Sequence, residues 1–222
     1  MNSSKSKSKV CAIIPFFNEE QFIRDIISDT LKYVDLVIAV NDGSIDNSEK
    51  LIQNISNVII LSFPKNHGKG FALQNGFDEC LKRNFEFIIT LDGDNQHDPD
   101  FIPAFIKDLD KYDIVIGNRL GEIKNMPFMR ILSNKITSIL LSLKTKQKII
   151  DSQCGFRAYR SEVLKKVKTT SSGYEAESEI LILASRMGFN IGFIEIPTVY
   201  ADEKSKIKPV AVIFGFLRTL FR

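Results

Sequence analysis

The chain is poor in the residues from which several kinds of site are built. Its 222 residues include three cysteines and two histidines. Cys11, Cys80 and Cys154 lie far apart in the sequence, form no CxxC and cannot all pair, so the set reads as reduced cytosolic thiols with no zinc site. Strong charge of one sign is also missing: a formal net charge of +3 is too small to argue for nucleic acid as a partner. No apolar run approaches the roughly 20 residues that a bilayer-crossing helix needs. The basic start MNSSKSKSK leads into no apolar signal-peptide core. A cytoplasmic protein is expected, with any membrane contact peripheral and at the inner face. No internal repeat is visible. The glycines of NHGKGFAL do not extend to GxGxxG, because Leu73 takes the third glycine's place, and no Ser or Thr follows Lys69 as a P-loop requires.

What is present is a hydrophobic content of 44%, ample for one core, and a regular alternation of apolar strands and amphipathic helices. Residues 1–8 read as a disordered basic N-terminus, 9–206 as one α/β domain and 207–222 as an amphipathic C-terminal helix. Val10 to Ile14 is expected as a buried strand ended by Pro15, with Asn18 capping the helix that follows. Strands at 36–40, 58–61 and 87–91 alternate with helices from about Asp46 and over 68–83. A helix at 99–109, with Asp98 as cap and Pro99 first, and a strand at 113–116 come next. This is the rhythm of a mostly parallel sheet with helices on both faces. Beyond it the rhythm breaks into an apolar helix near 127–143, the segment DSQCGFRAYR, a helix near 175–187 and a strand IGFIEI.

The chemistry gathers around FEFIITLDGDNQHDPDFI, residues 85–102. An apolar strand there empties into Asp92, Asp94 and Gln96. At two-residue spacing on an extended chain these side chains point the same way. Two carboxylates and an amide oxygen at a strand end suit Mg²⁺ or Mn²⁺, which complete their shells with water and substrate phosphates. His97 is expected to be exposed rather than a ligand. Other motifs also fall at strand ends, where doubly wound sheets bind ligands. Asp42 in NDGS is placed either to accept hydrogen bonds from a base or ribose or to form a plain turn. Lys69 opens a helix whose N–H groups suit a pyrophosphate.

IIPFFNEE, VNDGSIDNS, NHGKGFALQNGF, LDGDNQHDP, GNR, DSQCGFRAYR and EAESEILILASRMGFNIGFIEIPTVY together resemble a family 2 glycosyltransferase, nearest to the polyprenol-phosphate (dolichol-phosphate) mannosyl- and glucosyltransferases. The resemblance runs from about Val10 to Lys208. It implies a GT-A fold, Rossmann-like, and inverting transfer of a hexosyl group from a nucleotide-diphosphate sugar to a polyprenyl phosphate in cell envelope biogenesis. It further implies that Pro15, Phe17, Glu19 and Asp42 hold the nucleoside, that Asp92 and Asp94 are the DxD pair, and that Gln96 is a further metal ligand. Where the family commonly has two aspartates before GS, Asn41 replaces the first, which bears on base preference more than on catalysis.

On the acceptor side, Arg119 leaves a strand end and Arg130 begins a helix, and both match positions that resemble phosphate clamps. Arg157 reads either as a substrate contact or as a buried partner of Asp151. A phosphate monoester arrives already anionic, whereas a sugar hydroxyl needs a general base. The histidines, His67 and His97, lie in donor-side loops. The alternative to a lipid phosphate is therefore a hydroxyl on a glycan, with Glu177 or Glu179 as base, of which helix geometry can turn at most one toward the site. In 207–222, Val210, Ile213, Phe214, Leu217, Leu220 and Phe221 share a stripe flanked by Lys and Arg. Such a helix suits an anionic bilayer surface, or packing against the domain or a homo-oligomeric partner.

Overall fold

The computed structural model describes residues 9–121 and 128–197, with side chains from 131 onward in the second stretch. The basic N-terminus, the Arg130 side chain and the 207–222 helix lie outside the described residues. Seven strands form one sheet in the order β3-β2-β1-β4-β6-β5-β7. They are β1 (Val10–Phe16), β2 (Leu36–Asp42), β3 (Val58–Phe63), β4 (Phe87–Thr90), β5 (Ile114–Asn118), β6 (Arg157–Arg160) and β7 (Ile191–Glu195). All neighbours are parallel except β6, which runs antiparallel to both β4 and β5.

The strands read as near-continuous apolar runs because helices cover both sides. Ile13 meets Gly76 of α3 (Lys69–Lys82), while Phe16, of the opposite side-chain parity, lies beside Gly93 and faces α1 (Ile23–Thr30). The α3 side also carries α6 (Ser161–Lys166), α7 (Glu175–Arg186) and, against α7, α5 (Phe128–Thr145). The α1 side carries the short α2 (Ser48–Ile52), a 3₁₀ turn at Pro99–Phe101 and α4 (Ile102–Asp108). No helix among the described residues is long and apolar enough to cross a membrane. Cys11 and Cys80, 69 residues apart, bring their sulfurs to 2.9 Å in the core as free thiols.

Three expectations change. β1 does not stop at Pro15 but pairs it with Val40 and Phe16 with Asn41, because proline's fixed φ is compatible with extended backbone. Asn18 does not cap α1. It sits at φ +56°, its side-chain oxygen accepts from the Ile45 N–H, and the helix starts five residues later at Ile23. DSQCGFRAYR supplies an unforeseen strand, β6, between β4 and β5, whose end arginines hide its strand character.

Candidate active site

β1 and β4 lie side by side at the centre of the sheet, and the connections leave β1 and β4 for opposite halves, so a crevice opens beyond their C-terminal ends. The loops around it are knitted by side chains. Asn18 N–H donates to Ser44 Oγ at 3.0 Å, Glu19 N–H to Ser48 Oγ at 2.9 Å and Glu20 N–H to Asp46 Oδ2 at 3.1 Å, tying the loop after β1 to the loop after β2. Pro15, Phe17 and Glu19 are half-buried along this seam. Asn41 accepts from Ser44 N–H at 2.8 Å, as an aspartate would, and its amide donates to Glu49 at 2.6 Å. An aspartate in its place would set two carboxylates together, so Asn41 and Glu49 make a compensated pair.

Asp42, at the end of β2, reaches into the loop after the neighbouring β3. Its two oxygens accept from His67 N–H at 2.9 Å and Gly68 N–H at 2.8 Å. The Asp42 side chain therefore shapes the entry to α3, whatever it also offers to a ligand. Gly43 between these loops has φ +82°, and a Cβ there would lie 2.5 Å from the Lys65 backbone, so the close approach requires glycine.

The charged centre is assembled from both halves of the chain. Lys69, the first residue of α3, places Nζ 2.6 Å from Asp92 Oδ1 and 3.0 Å from Glu177 Oε2. Glu177 Oε1 lies 3.5 Å from Arg157 Nε. Arg157 is fully buried and donates to the carbonyls of Cys154, Glu177 and Ser152. Burial alone would raise the Asp92 carboxyl; the Lys69 ammonium and His97 more than reverse this and hold it well below the usual carboxylate range. Asp94 is raised, first by burial and then by the charge of Asp92.

Those two carboxylates fit a divalent cation. Asp92 is lowered beside Lys69 and His97, Asp94 is raised by burial and by the charge of Asp92, and a hard cation held by both would relieve that repulsion. Among the described residues no group of three His, Cys, Asp or Glu is arranged to hold a metal, so substrate oxygens and water would complete the shell. Gln96 does not join them along an extended chain. β4 ends at Thr90, Asn95 takes φ +58°, and the turn brings the Gln96 N–H to Asp94 Oδ1 at 3.1 Å.

Other sequence expectations are corrected. His97 is not exposed but 2% accessible, with Nε2 3.5 Å from Asp92 Oδ2, its ring beside Phe156, and Nδ1 without a hydrogen-bond partner. Arg119, not Arg157, pairs with Asp151: its fork closes on that carboxylate through Nε at 2.9 Å and Nη2 at 3.1 Å, in a site where Asn134 of α5 also donates to Asp151 at 2.6 Å. The arginine expected to clamp a phosphate therefore binds the start of the second half together. Glu179 turns away from the crevice and accepts from Thr170 N–H, Thr170 Oγ and Ser171 N–H. Burial pushes its carboxyl up, but the Ser171 and Thr170 hydrogen bonds win and leave it lowered, the wrong direction for a general base. Of the two glutamates, Glu177 faces the centre.

Two participants had no signal strong enough to single them out in the sequence. Gly155 lies against the Asp92–Lys69 pair: a Cβ there would collide with the Asp92 carboxylate and come within 2.7 Å of Lys69 Nζ. Thr90 Oγ donates to the Gly155 carbonyl at 2.9 Å and fixes it. The ring of Tyr174, at the start of α7, feels the charges of Lys69, Asp92, Glu177 and Asp94, and burial raises its hydroxyl.

The buried face of α5 is largely polar around Leu141. It carries Asn134, Thr137, Ser138 and Thr145, hydrogen-bonded to Asp151, Ser152 and neighbouring backbone. Its outward face carries Leu132, Ile136, Ile139 and Leu143, exposed by 40%, 49%, 61% and 73%. The spacing of these four residues puts them on one stripe.

The sheet order and the crevice beyond β1 and β4 are those of a GT-A fold. Glucosyl-3-phosphoglycerate synthase of Mycobacterium tuberculosis, solved with Mn²⁺, UDP-glucose and phosphoglyceric acid, matches 97% of this chain and 80% of its own at a TM-score of 0.77 and 20% identity, a likeness of fold. The family model described as Glycosyl transferase family 2 matches residues 11–168, and the chain belongs to that family. An uncharacterized protein of Methanocaldococcus jannaschii is 33% identical over 226 residues, 98% of this chain and 91% of the relative. The UDP-N-acetylglucosamine–dolichyl-phosphate N-acetylglucosaminyltransferase of Methanococcus voltae is 31% identical over 228 residues, 92% of this chain and 90% of the relative.

Proposed function

We propose that the protein transfers a hexosyl group, with inversion, from a nucleotide-diphosphate sugar to a polyprenyl phosphate at a membrane surface. The observation that carries the acceptor is α5, whose apolar stripe Leu132, Ile136, Ile139 and Leu143 is exposed while its buried face is largely polar around Leu141. A water-soluble acceptor gives no reason for that arrangement, while a lipid acceptor embedded in a bilayer does. The helix reaches the site through its own hydrogen bonds: Asn134 holds Asp151, and Ser152 and Gln153 lead to Gly155 against Asp92. Lys135, Lys144, Lys146 and Lys148 are exposed on or just after α5 and suit an anionic headgroup layer.

The catalytic side supports the same acceptor. An anionic phosphate needs no proton removed. Glu179 is held below the usual range by its hydrogen bonds, and Glu177 lies between Lys69 and Arg157, so neither glutamate is disposed to act as base on a hydroxyl. Asp92, Asp94 and, through its side-chain oxygen, Gln96 would hold Mg²⁺ or Mn²⁺, which when bound neutralises the departing nucleoside diphosphate. Lys69 adds a second positive charge at the helix N-terminus, where anions are favoured. Asp42 orders the 67–68 loop, and with Pro15, Phe17 and Glu19 lines the nucleoside side. Arg130 at the start of α5 is the remaining candidate for the acceptor phosphate.

The test is a product assay with UDP-, GDP- and dTDP-sugars, offering polyprenyl phosphate and hydroxyl acceptors in parallel. Glycosylated polyprenyl phosphate is expected from one donor in the presence of Mn²⁺. Transfer solely to hydroxyl acceptors, lost on Glu177→Gln, would replace this reading.

A further inference from the structure

Asp92 is placed to serve two cations at once. Its Oδ1 already has Lys69 Nζ at 2.6 Å and its Oδ2 has His97 Nε2 at 3.5 Å, so both oxygens carry a partner from the protein. It is also one of the two carboxylates that fit a divalent ion. An ammonium and a divalent cation on neighbouring oxygens of one carboxylate repel strongly in a half-desolvated site. Lys69 has somewhere else to go, because Glu177 Oε2 lies 3.0 Å from the same Nζ and is backed by Arg157. Its backbone cannot follow the side chain: Asp42 anchors Gly68, and the Phe71 N–H is held by the Ser172 carbonyl at 3.0 Å. Gly155 leaves no room behind the pair. An ammonium that leaves Asp92 keeps Glu177 as a partner, 3.0 Å away.

We propose that Lys69 and the divalent cation exchange at Asp92, the arriving metal displacing the ammonium from the carboxylate toward the donor's diphosphate. This deepens the proposed function and rests on its cation reading. Lys69 then opposes metal binding on its own yet favours the nucleotide once the metal is seated, which couples the two ligands. The ion pair seen here is the resting partner of a group whose working partner is a phosphate.

The test measures Mn²⁺ affinity by electron paramagnetic resonance of free Mn²⁺, without nucleotide, and then UDP and GDP binding at saturating Mn²⁺ by calorimetry. Lys69→Met keeps the length of the side chain and removes its charge. It should bind Mn²⁺ alone roughly tenfold more tightly than the natural chain, and bind whichever nucleoside diphosphate the natural chain prefers more weakly. Should Lys69→Met fail to fold, Glu177→Gln decides the matter. Without its second partner Lys69 commits to Asp92, and Mn²⁺ must bind more weakly. Unchanged or weaker Mn²⁺ binding in Lys69→Met, or equal or tighter binding in Glu177→Gln, overturns the exchange while glycosylation of polyprenyl phosphate by the natural chain leaves the function standing. Mn²⁺ bound by neither the natural chain nor Lys69→Met, with nucleoside diphosphate present as well as without it, overturns the exchange together with the cation reading on which it rests, while the product assay decides the function separately.

Discussion

Arg119 and Asp151 meet along two parallel hydrogen bonds, and the arginine's own N–H adds a third to the same carboxylate at 3.1 Å. Asp151 has no solvent exposure and Arg119 only 3%. Lysine keeps the charge but cannot present the fork. Arg119→Lys should therefore cost about 1–3 kcal/mol in urea unfolding, with donor affinity per folded molecule unchanged. Native stability with transfer abolished would instead make Arg119 a phosphate contact.

Asp94→Asn tests the cation. Asp94 is raised by burial and by Asp92, so a neutral amide should leave the melting temperature equal or slightly higher in the absence of Mn²⁺. Transfer should fall by at least about 100-fold, the scale of losing one preorganised electrostatic group, and the Mn²⁺-induced rise in melting temperature should vanish. Activity that survives both this change and excess EDTA rules out the metal.

Gly155→Ala introduces one methyl group into the Asp92–Lys69 contact. Overpacking of this kind costs about 1–3 kcal/mol, which calorimetry would read as a lower melting temperature, and transfer should drop more steeply than folded protein. Wild-type Mn²⁺ affinity and turnover in this variant would show that the pair tolerates displacement.

Glu179→Gln separates a loop-holding residue from a base. Transfer to polyprenyl phosphate should stay within about threefold, since no proton has to be removed from the acceptor. The folded-state pKa of Glu179 is lowered below 4.5. Its contribution to stability is accordingly full above about pH 4.5 and fades as the pH falls through the folded value. The variant should lose that part of the acid dependence in pH-resolved melting curves. Complete loss of transfer would restore the general-base reading.

The α5 stripe can be tested directly. Ile139→Glu with Leu143→Glu changes two side chains that are exposed by 61% and 73%, so the folded state should be nearly indifferent, within about 0.5 kcal/mol per site. Sedimentation with anionic liposomes and use of long-chain polyprenyl phosphate should both decline, while a short water-soluble phosphate acceptor is still glycosylated. Unaltered liposome binding would transfer the membrane role away from α5.

The parts of this fold visible in the sequence were those with local periodicity. The first four parallel strands, α3 and the Asp98–Pro99 cap follow from apolar runs and turn chemistry, and Asp98 does accept from Asp100 N–H at 2.9 Å. What escaped is set by partners distant in sequence. Arg157 reads as a substrate contact or a partner of Asp151 until its strand is inserted between β4 and β5 and its guanidinium turns to the carbonyls of Cys154, Ser152 and Glu177. Arg119 looks like a free clamp until Asp151, 32 residues on, closes on it. The burial of His97 depends on Phe156, and which glutamate of α7 faces the site depends on the 170–171 loop. The outward turn of the Leu132–Leu143 stripe of α5 was likewise hidden, because an apolar stripe by itself does not say which side of a helix faces the protein.

The antiparallel insertion of β6 also sets an order of assembly. β3, β2, β1 and β4 can form a four-stranded sheet from the first 90 residues, whereas both neighbours of β5 come later in the chain, at 157–160 and 191–195. During synthesis β5 must wait about 40 residues for its first hydrogen-bonded partner, and long-range pairing of this kind is slow. Asp92 and Lys69 are thus made and placed before Gly155, Arg157 and Glu177 exist to enclose them. A nascent chain halted before β6 has its acidic loop open to water, and competence for chemistry arrives only with the last third of the polypeptide.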